Sequence, residues 1–377
     1  MAGFLATPQK GTEALSFKES LEQVLGVSVD AETRNLFSGA LKQLDTLRID
    51  AVSGHQRLTV GVSLEEALSR YLDGLWSLES LLPPQKLCVQ STWKNAFPSG
   101  SIITYHTYYT SDTLSFEKAC ALFNLAACLS RRAAELAESM REEDLREGIK
   151  ALQRSAGIFQ YIRHVSRVAS MTGMTTDLMS DSLQALEKLA LGQAQECVYL
   201  KAYSDSNYSP TILAKLSQAS ADLYEASWKH MKKHQPCSDQ WSFVIQFKEY
   251  AFKGLAQYHQ ARADSSEKRV GDELARLQLA MEMFVKANKY ANFVTILVFG
   301  THWKKQAAVI EQEFKKRHRE NDLVYKERIT ERKDLQEIPA VLLTKTVPPE
   351  FPLCAEEPLF EQFKSIFDAL AASGAVF

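Results

Sequence analysis

The sequence lacks the local motifs by which many enzymes are recognised. It has no glycine-rich phosphate-binding loop, no G-x-S-x-G nucleophile motif and no signature of a catalytic cysteine. Two histidines, His230 and His234, are four residues apart, but the glutamate of the H-E-x-x-H zinc motif is missing and two lysines lie between them. The sequence therefore predicts no catalytic residue, no metal site, no cofactor and no enzymatic activity.

Strong net charge, paired cysteines and long apolar runs are also missing. The net charge is −2 at pH 7, so no overall field attracts nucleic acid or acidic membranes. The six cysteines form no C-x-x-C pair, which is typical of reduced thiols in a cytosolic protein. No signal peptide is visible, and the longest apolar run, residues 293–299, is too short to span a bilayer. These features predict a cytoplasmic protein.

Proline is absent from residues 99–209, and apolar residues there recur at helical spacing. Residues 115–127 are apolar nearly all round, which predicts a buried central helix. Further helices are predicted at residues 143–169, 175–203, 210–234, 239–264 and 267–291. Starts about thirty residues apart are typical of stacked helix hairpins resembling tetratricopeptide repeats, although no consensus repeat is present.

The two ends of the chain have a different pattern. Helices are predicted at residues 32–52, 64–82 and 294–319, and two strands of a small sheet at 87–93 and 102–109. Residues 338–358, called the C-terminal segment below, are rich in proline and also contain several Val, Leu and Phe residues. This composition predicts an extended segment that packs back along the helices, because a solvated linker would keep less apolar surface.

The stretch from residue 191 to residue 232 carries the main functional indication. Ser209 is a good N-cap and Pro210 suits the first position of a helix. One helical stripe then contains Ile212, Leu216, Ala219 and Leu223, and a second contains Leu213, Ser220 and Tyr224. One stripe can face the core while the other stays partly open, so the surplus apolar surface predicts a partner-binding site.

Five motifs in a fixed order carry a resemblance to a known family. They are T-W-K-N-A-F at 92–97, S-F-E-K-A-C-A-L-F-N at 115–124, L-G-Q-A-Q-E at 191–196, G-D-E-L-A-R-L-Q at 271–278 and E-N-D-L-V-Y at 320–325. Each motif is weak alone, but together the chain resembles the Bro (Alix-like) domain family over residues 3–370. The resemblance implies a single domain over residues 1–377 that is mainly α. It implies a curved, boomerang-like helical solenoid with a tetratricopeptide-like core at about residues 115–292, a small sheet and a packed C-terminal segment.

The resemblance also implies a partner. The family binds the C-terminal amphipathic helix of Snf-type ESCRT-III subunits, the charged multivesicular body proteins, in an apolar groove. The matching positions in this chain are Val198, Lys201, Ile212, Leu216 and Lys150. An aromatic residue of the family is replaced here by Val198, and a basic residue, Arg146, stands near a position that is acidic in some members. Both differences affect which partner the groove accepts.

The expected function is a non-enzymatic adaptor, a monomer recruited to endosomal membranes through its partners. Tyr325 matches a tyrosine that can be phosphorylated in the family, so it is a candidate phosphorylation site. The alternative is a scaffold for pH signalling or small-GTPase pathways that uses the same fold with another ligand.

Overall fold

A computed structural model of the chain describes residues 3–22, 24, 29–52, 63–97, 107–164, 174–234, 239–291 and 297–372. The fold is 73% helical, as the sequence predicts. In order, the helices are α1 (Phe17–Leu21), α2 (Ala31–Val52), α3 (Leu64–Leu81), α4 (Leu114–Glu138), α5 (Glu142–His164), α6 (Ser180–Ser204), α7 (Pro210–His234), α8 (Asp239–Ser266), α9 (Val270–Ala291), α10 (Leu297–Glu320) and α11 (Lys364–Ala372). In this part of the chain, no helix combines the length and apolar character needed to cross a membrane.

A two-stranded antiparallel sheet pairs β1 (Cys88–Lys94) with β2 (Tyr108–Thr113). The register places Trp93 opposite Tyr109 and Ser91 opposite Ser111. The first strand was predicted within one residue at each end. The second was predicted at residues 102–109 but starts at Tyr108, and residues 98–106 lie outside the described residues. Here the run of apolar and aromatic residues was a poor guide to the paired segment, since β2 continues into polar residues.

The described residues group into two compact units. The first comprises residues 1–6, 130–156 and 184–346. Within it, α7 packs on α8, α8 on α9 and α9 on α10. Ala194 on α6 and Ala256 on α8 are fully buried. Its core contains Leu216, Tyr224, Phe252, Leu277 and Phe284 among others.

The second unit comprises residues 7–129, 157–183 and 347–377. Its centre is the buried carboxylate of Glu117 on α4. Glu117 accepts hydrogen bonds from Arg48 Nε at 2.8 Å, from the Tyr71 hydroxyl at 2.6 Å and from Trp93 Nε1 at 2.6 Å. One carboxylate therefore ties together α2, α3, β1 and α4. Removing it would leave three buried donors without their partner, which is strongly destabilising.

The C-terminal segment packs back, as predicted. In the first unit, Ile338 is buried against Ala214 and Ala256. The backbone N–H of Val341 donates to the Lys215 carbonyl at 3.2 Å. The Gln195 side chain then donates to the Val341 carbonyl at 2.9 Å.

In the second unit, aromatic stacking and a carboxylate hold the remainder of the segment. Phe351 stacks on Trp76, with ring centroids 4.1 Å apart and planes 4° apart. Asp73 accepts the backbone N–H groups of Leu353 at 2.7 Å and Cys354 at 2.8 Å. Burial raises the pKa of the Asp73 carboxyl, and these two hydrogen bonds act against that effect.

The predicted cause of this packing is only partly right. The apolar side chains of the C-terminal segment were expected to pack against the helices. Leu342 and Leu343, however, are 54% and 61% exposed. Val341 and Val347 are also exposed. Main-chain hydrogen bonds together with Ile338 and Phe351 hold the segment, so several of its apolar side chains remain available at the surface.

Gly157 on α5 permits a close approach of the segment. A Cβ atom at this position would lie 1.9 Å from the Val347 carbonyl oxygen, so the backbone would have to shift. We expect Gly157→Ala to loosen the segment, and limited proteolysis of the whole chain to cut residues 338–358 faster than in the wild type. Gly148→Ala on the same helix is the control, because its nearest contact is the Ala133 carbonyl oxygen at 3.8 Å. Equal cleavage of all three proteins would contradict this account.

Candidate partner-binding site

The candidate site lies where α6 ends and α7 begins. Asp205 accepts the backbone N–H of Asn207 at 3.0 Å within the connecting turn. The N–H of Ile212 approaches the Ser209 carbonyl at 3.0 Å and the Ser209 hydroxyl at 3.4 Å. α7 starts at Pro210, as predicted, because proline needs no N–H partner in the first turn. This local chemistry places Ile212 in the first turn of α7.

A buried polar cluster joins α6, α7 and α8. Lys248 Nζ is 2.7 Å from Glu196 Oε2, and the Tyr224 hydroxyl donates to the same oxygen. Burial raises the pKa of the Glu196 carboxyl and lowers that of the Lys248 ammonium, and their mutual attraction opposes both effects. The Lys248 ammonium also lies 4.5 Å from the Phe4 ring centroid. The three polar side chains satisfy one another, so this cluster fixes the positions of the helices.

Two of the predicted apolar residues lie at or near the surface. Ile212 is 42% exposed, which is unusual for isoleucine beside a large core. Val198 is half-buried and packs against the edge of that core. Both belong to the helix ends that meet at the turn, so they can contribute to one apolar surface.

The expectation that Leu216 is an exposed anchor is wrong. Leu216 is 1% exposed and belongs to the core cluster of the first unit. Leu213 and Leu223, from the two predicted stripes, are buried as well. Helix α7 is covered on a wider arc than one stripe because α6 and α8 both pack against it. Among the large apolar residues of α7, Ile212 in the first turn is exposed and Trp228 is half-buried.

The two predicted lysines lie beside acidic residues of α5. Lys201 Nζ is 3.6 Å from Glu142 Oε1, and Lys150 Nζ is 2.8 Å from Glu147 Oε1. Arg146 also pairs with Glu142, at 2.6 Å. Both lysines are therefore partly neutralised within the chain. A partner carboxylate must compete with these exposed pairs, which are individually weak.

Sequence reasoning missed the aromatic residues around the turn. Tyr203 and Tyr208 are 50% and 44% exposed. The Tyr203 ring stacks on Tyr199 with centroids 5.7 Å apart, and the Tyr199 hydroxyl lies 2.9 Å from Nε2 of the buried His259. The sequence did contain a signal for them, since both tyrosines stand in or next to the polar stretch that separates α6 from α7. In the structure, both tyrosines lie in or beside the turn between α6 and α7.

Tyr325 lies in the turn that follows α10. It is 51% exposed and ends the π-helical turn Asn321–Tyr325. Asn321 holds that turn, because its amide nitrogen donates to the Glu327 carbonyl at 2.9 Å and its oxygen accepts the Glu327 N–H at 3.0 Å. These hydrogen bonds of Asn321 hold the turn that carries Tyr325. Its phosphorylation stays a prediction.

His259 predicts a specific pH dependence of stability. Burial lowers its pKa to about 3, whereas an unfolded imidazole binds its proton near pH 6.5. The unfolded state therefore binds more protons below pH 6.5, and stability falls as the pH falls, by at most about 1.4 kcal/mol per pH unit from this group. In urea unfolding between pH 7 and 4.5, we expect a shallower loss for His259→Phe than for the wild type.

Tyr199→Phe serves as the control for this experiment. It removes the hydrogen bond to His259 but keeps the buried imidazole, so the steep loss below pH 6.5 should remain. Identical slopes for His259→Phe and the wild type would show that burial of this ring is not the cause.

The whole chain matches a known family and its relatives. The model of the BRO1-like domain matches residues 4–373. Apoptosis-linked gene 2-interacting protein X 1 of Caenorhabditis elegans is 28% identical over 361 residues, which are 93% of this chain and 40% of that protein. Human programmed cell death 6-interacting protein is 29% identical over 375 residues, 98% of this chain and 41% of that protein. The pH-response regulator protein palA/RIM20 of Emericella nidulans is 25% identical over 327 residues, 86% of this chain and 37% of that protein.

Two solved structures share the fold. The ALIX BRO1 CHMP4C complex has a TM-score of 0.83 and 29% identity, and the match covers 95% of this chain and 99% of that one. A Bro1 domain described for its role in endosomal targeting has a TM-score of 0.79 and 25% identity, with 98% of each chain covered. This chain spans about two fifths of the length of the curated relatives. The match to the family model over nearly every residue shows that the chain belongs to the BRO1-like domain family.

Proposed function

We propose that this chain is a non-enzymatic adaptor that binds the C-terminal amphipathic helix of a Snf-type ESCRT-III subunit. The main support is Ile212, an exposed isoleucine on a rigid helix end, in a fold that matches a BRO1 domain complexed with CHMP4C. A helix-in-groove interface needs apolar anchors held by a preformed scaffold. The buried cluster of Glu196, Tyr224 and Lys248 supplies that rigidity.

Val198 and Ile212 would contact the apolar face of the partner helix, and Lys201 and Lys150 would face acidic residues beside it. Both lysines are already paired with Glu142 or Glu147, so they act mainly on orientation and association rate. Apolar contacts supply most of the affinity. A surface made of apolar contacts with lysines beside them binds a partner helix, and binding of this kind is what an adaptor requires.

The structural match to a Bro1 domain with an endosomal-targeting role supports recruitment of this chain to endosomes through the same contact. The relative palA/RIM20 supports a second candidate, a scaffold in pH signalling. Titration of the wild-type chain with a Snf-type C-terminal peptide separates these two functions. Micromolar binding favours the adaptor, and no binding up to millimolar concentration favours the scaffold.

Ile212→Asp and Leu216→Asp should behave differently, although they are one turn apart. Ile212 is 42% exposed, so an aspartate at this position can be solvated. For Ile212→Asp we therefore expect at least about thirtyfold weaker peptide binding and an unchanged thermal melt. Leu216 is 1% exposed, so its aspartate would be a buried charge without a partner and should destabilise the fold by several kcal/mol. Calorimetric titration and thermal melting measure both effects. Wild-type affinity of Ile212→Asp would contradict the proposed site.

A further inference from the structure

The turn between α6 and α7 is open to solvent. Residues 203–209 are all exposed. Short-range hydrogen bonds hold the turn: the Tyr208 N–H donates to the Asp205 carbonyl at 3.3 Å, and the Asn207 N–H donates to the Asp205 side chain at 3.0 Å. A stretch that is exposed and held only by local hydrogen bonds opens at little cost in free energy. A modifying enzyme can therefore draw this turn into its active site.

One residue of the turn has the sequence pattern of a phosphorylation site. Ser209 stands directly before Pro210, and a serine or threonine before proline is the pattern that proline-directed protein kinases recognise. The sequence contains one other pair of this kind, Thr7 before Pro8. Thr7 is 3% exposed, so a kinase cannot reach it in the folded chain. The fold therefore leaves Ser209 as the accessible site of this type.

The hydroxyl of Ser209 can be modified without loss of a strong contact. The Ser209 carbonyl accepts the N–H groups of Ile212 at 3.0 Å and Leu213 at 3.1 Å, and these main-chain bonds begin α7. The hydroxyl oxygen lies 3.4 Å from the Ile212 nitrogen, which is long for a hydrogen bond. Phosphate oxygens are strong acceptors and suit the start of a helix. We therefore expect α7 to keep its first turn after phosphorylation.

The added charge would lie within one helical turn of the proposed anchor. Ile212 follows Ser209 by three residues, about 4.5 Å along the helix axis. A phosphoserine carries about −1.5 to −2 charges at pH 7. Residues 202–214 contain no lysine or arginine, and Asp205 already places a carboxylate in the turn. The adjoining sequence thus supplies no cation to neutralise the phosphate, so a bound partner experiences its charge.

We propose that Ser209 is a phosphorylation site that switches off binding of the partner helix. This inference rests on the proposed function, in which acidic residues lie beside the apolar face of that helix. A proline-directed kinase transfers the γ-phosphoryl group of ATP to Ser209 Oγ. The Oγ–P bond forms, the bond between the γ-phosphorus and the ADP oxygen breaks, and the hydroxyl proton passes to the base of the kinase. The phosphate then repels the carboxylates of the partner helix near Ile212.

The first test is phosphorylation of the full chain. The chain is incubated with ATP and a mitogen-activated protein kinase, which is proline-directed, and mass spectrometry locates the phosphate. We expect phosphate on Ser209 and none on Thr7, because only Ser209 is exposed. Failure to modify Ser209 would overturn the proposal. This result is independent of any ESCRT-III peptide.

The second test measures binding of a fluorescent synthetic peptide, the C-terminal helix of a Snf-type ESCRT-III subunit, to the full chain. We expect the phosphorylated chain to bind at least about tenfold more weakly at low salt, and the difference to shrink at high salt because salt screens the repulsion. Ser209→Asp and Ser209→Asn form a matched pair, since both are good N-caps but only aspartate is charged. Ser209→Asp should weaken binding, whereas Ser209→Asn should bind like the wild type. Thermal melts should stay unchanged.

The outcomes separate the switch from the proposed function. If the phosphorylated and unmodified chains bind equally, the switch is overturned and the proposed function stands. If the unmodified wild type does not bind the peptide, the proposed function fails and the switch with it. If Ser209→Asn weakens binding as much as Ser209→Asp, the loss comes from the start of α7 and not from charge, which also overturns the proposal.

Discussion

The buried carboxylate of Glu196 is the contact on which the candidate site depends. It binds the ammonium of Lys248 and the hydroxyl of Tyr224, and thereby fixes α8 and α7 against α6. Opposite charges without water attract strongly, but the loss of one partner leaves an uncompensated buried charge. The neighbouring residue Gln195 holds the C-terminal segment through two hydrogen bonds. Two consecutive side chains of α6 thus set the helix positions and the segment that crosses them.

The order of helices could be read from the sequence because their ends have local chemical causes. Pro210 and Ser209 defined the start of α7, and the long interval without proline indicated the helices before it. The second strand was misplaced because β2 is polar on its exposed face and has no local signal of its own. Capping and helix-breaking are local properties, whereas strand pairing depends on a distant partner.

The candidate site was only half predictable for a related reason. Helical periodicity shows which residues share a face, but not how wide an arc the neighbours cover. Leu216 shares its stripe with Ile212, yet one is buried and the other exposed. The position of the C-terminal segment followed from its composition, but its hydrogen bonds to Gln195 did not, since a glutamine on a buried-looking helix gives no sign of its partner.

Hydrogen–deuterium exchange of the full chain, with and without the Snf-type C-terminal peptide, tests the central claim most directly. The account predicts slower exchange in two places when the peptide is bound: the last turns of α6 after Gln195 and the first turns of α7 around Ile212. Exchange in α9 and α10 should stay unchanged. Protection confined to α9 and α10, with none around Ile212, would contradict the account.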